Sequence, residues 1–171
     1  MKKIRIDALE HAGEITKALE HGVFLTTRYR DKVNSMVIGW GQIGRIWERP
    51  VFVAYVRKNR YTREILDANP EFSVNVPVNG TDLNAFRICG SESGRNQDKI
   101  QKAGLTLTDC EQISVPAIRE FPLTLECRVI YRQEQELSNI PEAIRNSFYK
   151  VEKEDHICYY GEILSAYMIE E

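Results

Sequence analysis

Three side chains placed after an apolar run could together bind a phosphate group. Arg57 and Arg60 follow the strand-like run of residues 51–56, and Thr62 lies where the next helix is expected to begin. Guanidinium groups, a hydroxyl group and the free backbone N–H groups of a helix start are donors that suit phosphate. A solvated basic loop is the alternative, but Thr62 could cap the helix, which favours phosphate binding. The predicted phosphate set is Arg57, Arg60, Tyr61 and Thr62, whereas Lys58 is expected to face solvent.

The segment before this set could hold a flat ring. Small and apolar residues at 34–41 suit an aromatic ligand that lies against a backbone edge. Ile38 is expected to face the core, and Trp40 could either stack on the ring or pack in the wall of the fold. Together with the phosphate set, this segment predicts a phosphorylated, ring-bearing cofactor. The predicted ring contacts are Asn34, Ser35, Met36, Val37 and Trp40.

A third polar segment, CGSESGRNQDK at residues 89–99, combines a glycine-permitted turn with a basic side chain. Gly94 allows a backbone conformation that other residues disfavour, and Lys99 could reach a phosphate or balance charge on a ring. From spacing alone, a capped helix start with a solvated ion pair is the favoured interpretation. The candidates in this segment are Ser91, Ser93, Gly94, Arg95 and Lys99, with Asp98 beside them.

Composition indicates an ordinary globular protein and excludes several classes. The 171 residues are 43% hydrophobic and 28% charged, which predicts one domain over residues 1–171. A net charge of −2 gives no basic face for nucleic acid. No apolar run reaches membrane-spanning length and no signal peptide is visible, so we expect no membrane partner and a cytoplasmic protein.

The four cysteines show no metal-ligand or thioredoxin-type spacing. We therefore expect no metal site and reduced, mostly buried thiols. Cys89, beside Gly90, could have a redox role, but a buried small hydrophobe is the favoured interpretation because no resolving partner is evident.

Periodicity predicts about six strands and several short helices, arranged as antiparallel hairpins with helices outside them. A glycine-rich turn is expected between residues 40 and 51, and residues 105–120 are expected to be irregular. The predicted helices are 8–21, 62–68, 83–89, one from Asn96 or Asp98 to Gly104, and one around 141–147. The predicted strands are 23–28, 34–40, 51–56, 71–76, 123–131 and 156–169.

An ordered set of segments resembles the flavin reductase-like family of FMN-binding split barrels, in particular its flavoredoxin branch. The segments cover residues 23–169 in the family's order, although each alone is weakly specific. They are NSMVIGWGQIG, RPVFVAYVRKNRYT, EFSVNVP, CGSESGRNQDK, AGL, LTLECRV and HICYYGEI. This chain has Asn96 where the family motif often has Asp, which could loosen a pairing with Arg95.

The resemblance implies a mainly β, α+β fold: an antiparallel, Greek-key-like split β-barrel with peripheral helices. It also implies non-covalent FMN at the interface of a homodimer, and it favours the site interpretation of residues 91–99. A histidine near His156 lies close to the flavin in the family. His156 could donate to a nicotinamide ligand or supply a proton, or it could be a solvated strand-end residue.

The function that these observations predict is an FMN-dependent oxidoreductase that passes electrons from NADH or NADPH to flavin and onward. Two alternatives stay open. One is a flavoredoxin-like electron carrier that is reduced by a protein partner, and the other is a flavin-binding module without redox work.

Overall fold

The computed structural model describes residues 2–78, 82–150 and 155–170. Within these ranges eight strands form one sheet, in which every pairing is antiparallel. The eight strands are β1 (Lys2–Arg5), β2 (Val23–Tyr29), β3 (Lys32–Ile38), β4 (Gly41–Ile46), β5 (Arg49–Arg57), β6 (Glu71–Val76), β9 (Leu123–Glu134) and β10 (His156–Glu170). Their order in the sheet is β3-β2-β6-β9-β10-β5-β4, and β1 pairs with β10. A separate small ribbon joins β7 (Leu107–Thr108) to β8 (Ala117–Ile118).

The sheet is strongly bent but not closed, because its path ends at β3 on one side and at β4 on the other. This open antiparallel arrangement confirms the expected split barrel. The long strands β9 and β10 form its middle, with register shifts at Tyr160/Gly161 and Ile163/Ser165. At the first shift a Cβ on Gly161 would lie 2.4 Å from the Phe72 ring, so glycine permits the close crossing there.

The helices lie at the periphery, as expected. They are α1 (Ala12–Leu19), α2 (Tyr61–Ala68), α3 (Leu83–Ser91), α4 (Lys99–Ala103) and α5 (Glu142–Phe148), with a 3₁₀ turn at Leu137–Asn139. The side chains of Asp82 and Asp98 cap α3 and α4, and Gly104 ends α4 in the left-handed conformation. The first helix begins at Ala12 instead of residue 8, because Asp7 Oδ1 accepts from the Leu9 N–H and closes a turn before it.

Three strand-forming regions were not predicted. The glycine-rich segment expected to be a turn contains β4, which forms a hairpin with β5 through Trp47 and Glu48 at positive φ. The region 105–120, expected to be irregular, contains β7 and β8, and β1 adds a strand before the first helix. The prediction of about six strands was therefore too low.

Two groups of buried side chains hold the fold together. The larger fills the inside of the bent sheet and includes Phe52, Phe72 and Tyr159. The smaller lies between β2–β3 and the helices α3 and α4, and in it the Phe24 and Phe121 rings stack 4.1 Å apart. This second group fixes α3 and α4 against β3, so the segment between these helices lies beside the edge of the sheet.

Candidate functional site

Residues from all three predicted segments meet along β3 and form two adjacent clefts. The polar cleft is lined by Asn34, Arg60, Thr62, Ser93, Gly94 and Lys99, among others. The aromatic cleft is lined by Val37, Trp40, Tyr55, Arg57, Phe148 and His156, among others. Met36 and Arg60 line both, so the two clefts lie side by side. Within the described residues β3 pairs with β2 alone, which leaves one backbone edge of β3 beside the clefts.

A buried hydrogen bond connects β3 to the start of α2. Asn34 Nδ2 donates to Thr62 Oγ1 at 2.8 Å, and Thr62 is only 2% exposed. Thr62 does not cap α2 as predicted, because Arg60 occupies the N-cap position and no side chain caps the helix. The first N–H groups of α2 therefore have no side-chain acceptor at the cap, next to the guanidinium of Arg60.

Gly94 lets the segment before α4 lie directly on Asn34. A Cβ at position 94 would be 2.0 Å from Asn34 Oδ1, which is too close for any other residue without a shift. Asn34 Oδ1 is itself buried without a hydrogen-bond partner. A buried acceptor in this state costs about 1–3 kcal/mol of free energy, which is typical of a binding site before its ligand is present.

Lys99 brings a buried positive charge to the same cleft. Its side chain is only 4% exposed, and its Nζ donates to the backbone oxygen of Cys89 at 3.1 Å. Burial lowers the pKa of Lys99, and the nearby charge of Arg60 lowers it further, while Cys89 acts in the opposite direction. Cys89 itself is buried, and desolvation raises the pKa of its thiol, so it serves as wall rather than as nucleophile.

Five further candidates differ in where the structure places them. Arg95 makes a two-pronged ion pair with Glu64, at 2.8 and 2.6 Å, and lies over the outer face of the Tyr61 ring. The Ser35 hydroxyl accepts from Thr26 on β2, and the Ser91 hydroxyl donates to a backbone carbonyl of α3. The structure therefore does not bring Ser35, Ser91 and Arg95 into the cleft walls, whereas Ser93 and Tyr61 do line the polar cleft.

The loop that carries Arg60 is fixed by Lys58. Lys58 forms ion pairs with Asp155 at 2.6 Å and Glu134 at 2.8 Å, and its side chain, which was expected to face solvent, is 29% exposed. These two carboxylates raise the pKa of Lys58. The pairing joins the end of β5 to β9 and to the residue before β10.

The aromatic cleft is built from rings that are partly open to solvent. Trp40 is 38% exposed, and its ring lies 4.8 Å from His156 and 5.3 Å from Phe148. Tyr55 and Phe148 were missed in the sequence. Tyr55 lies two residues before Arg57 on β5, so the alternation of side chains along a strand places both on the same face and could have identified Tyr55. Phe148 lies one residue beyond the predicted helix.

His156 is buried at the start of β10, so the solvated alternative was wrong. It is 5% exposed, and burial, followed by the charge of Arg57, lowers its pKa to about 4. Its Nδ1 lies 3.3 Å from the Tyr149 hydroxyl, which donates to Gln135 Oε1 at 3.0 Å. The ring is therefore neutral at pH 7 and is held by a short chain of hydrogen bonds.

Comparison with known proteins agrees with this geometry. The sequence matches the family described as "Flavin reductase like domain" over residues 17–171. The chain belongs to the flavin reductase-like family.

Relatives of this flavin reductase-like chain include an uncharacterized protein of Archaeoglobus fulgidus that is 31% identical over 106 residues, covering 62% of this chain and 49% of the relative. The chain therefore spans about half the length of that relative. Similar structures include flavoredoxin from Methanosarcina acetivorans, with 29% identity, TM-score 0.65 and coverage of 87% of this chain and 68% of that one. Flavoredoxin of Desulfovibrio vulgaris (Miyazaki F) gives 23% identity, TM-score 0.69 and coverage of 87% and 69%.

Within residues 2–78, 82–150 and 155–170, no helix is long and apolar enough to cross a membrane. No group of three or more His, Cys, Asp or Glu side chains there is arranged to hold a metal ion. The four cysteines are free thiols.

Proposed function

We propose that this protein binds FMN without a covalent link and acts as an oxidoreductase that passes electrons through it. The observation that carries the proposal is that the two clefts lie side by side and share Met36 and Arg60. One cleft offers cations and helix-start N–H groups for a phosphate, and the other offers rings and a backbone edge for a flat heterocycle. The membership of the flavin reductase-like family and the similarity to the flavoredoxin from Methanosarcina acetivorans support a flavin as the ligand.

The residues present fit such a group. Arg60, Lys99 and the start of α2 would hold the phosphate, and Arg60 would do so with a charge-assisted hydrogen bond. The unpaired Asn34 Oδ1 would accept from a ligand hydroxyl group, which would remove the cost of leaving it unpaired. The β3 edge and Trp40 would position the ring. When bound, FMN supplies a hydride acceptor at N5, and the protein supplies orientation and charge.

The proposed electron donor is NADH or NADPH. The second candidate is an electron carrier that is reduced by a redox protein, which is favoured by the similarity to flavoredoxins. The test is the absorption spectrum of the purified protein with added FMN, followed by anaerobic titration with NADH and NADPH. Bleaching of the flavin bands by either nucleotide is expected. Bleaching by reduced ferredoxin alone would favour the carrier, and protein that takes up no FMN would contradict both.

We also propose a homodimer with two equivalent flavin sites. Large hydrophobic side chains stay exposed around β4, on β9 and on α5, and a second copy of the chain would cover them. They are Trp40, Ile46, Trp47, Ile130, Tyr131, Ile144 and Phe148. Sedimentation at micromolar concentration should give twice the chain mass of 19.8 kDa. Trp47→Ala should weaken the dimer, and Leu83→Ala, at an exposed position on α3, is the matched control that should not. A stable monomer that retains FMN would contradict a shared site.

A further inference from the structure

The hydrogen-bond partners of His156 determine which nitrogen of its neutral ring carries the hydrogen. The backbone N–H of His156 donates to the side-chain atom Oε1 of Gln135 at 3.2 Å. A backbone N–H can only donate, so this atom of Gln135 must be the carbonyl oxygen. The Tyr149 hydroxyl lies 3.0 Å from the same oxygen and must therefore donate its hydrogen to it.

With its hydrogen given to Gln135, the Tyr149 oxygen can only accept from the ring of His156. The 3.3 Å contact is with Nδ1, so the hydrogen of the neutral ring lies on Nδ1. The other nitrogen, Nε2, then carries a lone pair and no hydrogen. The pKa of His156, lowered to about 4 mainly by burial, agrees with a neutral ring at pH 7.

The Nε2 atom has no hydrogen-bond partner among the described residues and is not fully buried. Within these residues, the buried side-chain polar atoms without a partner are Asn34 Oδ1 and Ser165 Oγ. His156 Nε2 is not one of them, and the described hydrogen bonds of His156 involve Nδ1 and the backbone only. Tyr149 holds the Nδ1 side of the ring and His156 lines the aromatic cleft, so we place the lone pair of Nε2 toward that cleft.

We infer that Gln135 and Tyr149 are positioning residues that fix His156 as a neutral hydrogen-bond acceptor, and that Nε2 accepts from an N–H group of a ligand in the aromatic cleft. This assignment differs from the donor and proton-supplying role expected from the sequence. The carboxamide of nicotinamide is the N–H donor that suits Nε2, and this ligand class rests on the proposed function. A pyrophosphate, which only accepts hydrogen bonds, does not suit it.

The tautomer is tested on the apo protein labelled with ¹⁵N at histidine, by long-range ¹H–¹⁵N spectra at pH 7, with His156→Gln to assign the signals. Wild type should show the Nδ1–H tautomer. In Tyr149→Phe the acceptor for Nδ1–H is lost, so the hydrogen should move to Nε2, where solvent can accept from it. Tyr29→Phe, an exposed tyrosine at the end of β2, should match wild type. An Nε2–H tautomer in wild type, or no change in Tyr149→Phe, would overturn the positioning role.

The ligand class is tested by adding nicotinamide or 3-acetylpyridine to the same labelled protein, with and without FMN. Nicotinamide should shift the Nε2 signal upfield, and 3-acetylpyridine, in which a methyl replaces the amino group, should not. Equal responses, or none to nicotinamide, would overturn the carboxamide assignment. Failure of the protein to take up FMN would instead count against the proposed function, while the tautomer result on the apo protein would still decide the role of Tyr149.

Discussion

The polar and aromatic clefts are adjacent, yet they are built in opposite ways. The polar cleft is fixed from within: Thr62 and Lys99 are buried, Asn34 bonds across to α2, and Gly94 permits the contact. The aromatic cleft is open, with Trp40 38% and Phe148 48% exposed. The cleft proposed to hold the phosphate is therefore preorganised in the single chain. The cleft proposed to hold the ring, in contrast, would need the ligand or a second copy to cover it.

The largest effect is expected from breaking the preorganised cleft with Gly94→Ala. The added Cβ would meet Asn34 Oδ1 at 2.0 Å, so either Asn34 or the segment before α4 must shift. Such a shift would also move Lys99, which lies against Gly94. We therefore expect the free energy of FMN binding to weaken by about 1.5–3 kcal/mol, the value of one charge-assisted hydrogen bond from Lys99 to the phosphate. The free energy of unfolding should fall by about 1–3 kcal/mol, as for other overpacked sites.

Gly44→Ala is the matched control, because a Cβ at position 44 meets nothing within 4 Å. Isothermal titration with FMN and urea unfolding are the measurements. An unchanged FMN affinity in Gly94→Ala would show that the contact between Gly94 and Asn34 does not organise the site.

A smaller effect is expected at the open cleft from Trp40→Leu. Loss of an aromatic contact is worth about 0.5–1.5 kcal/mol, and it should weaken FMN and riboflavin by the same factor because both carry the ring. Titration with both ligands measures this. A Trp40→Leu variant that binds both as tightly as wild type would place Trp40 in the wall of the fold, the alternative left open by the sequence.

The polar cleft could be predicted because much of its information is local. An apolar strand followed by Arg57, Arg60 and Thr62 identifies a basic strand end at a helix start, and Gly94 with Lys99 marks a second turn. Their convergence on β3, however, depends on the packing of α3 and α4 through residues far apart in sequence. In the sequence, only the resemblance to a family connected the two segments.

The aromatic cleft was harder to predict because its key contacts are long-range. His156 depends on Gln135 and Tyr149, and Lys58 pairs with carboxylates from two other segments. Strand β4 was missed because its glycines read as a turn, whereas its pairing with β5 gives it strand geometry. Register between distant strands determines such contacts, and periodicity alone does not reveal it.

If the polar cleft binds the phosphate of FMN, the protein must bind FMN more tightly than riboflavin, which lacks that phosphate. A titration with both ligands tests this most directly. Titration of the apo protein should show FMN bound at least about tenfold more tightly, which corresponds to about 1.4 kcal/mol. Arg60→Ala should lose about 1.5–3 kcal/mol for FMN and nothing for riboflavin, whereas Arg5→Ala, at a largely exposed arginine on β1, should keep the preference. Equal affinities of the wild-type protein for FMN and riboflavin would contradict phosphate binding in the polar cleft.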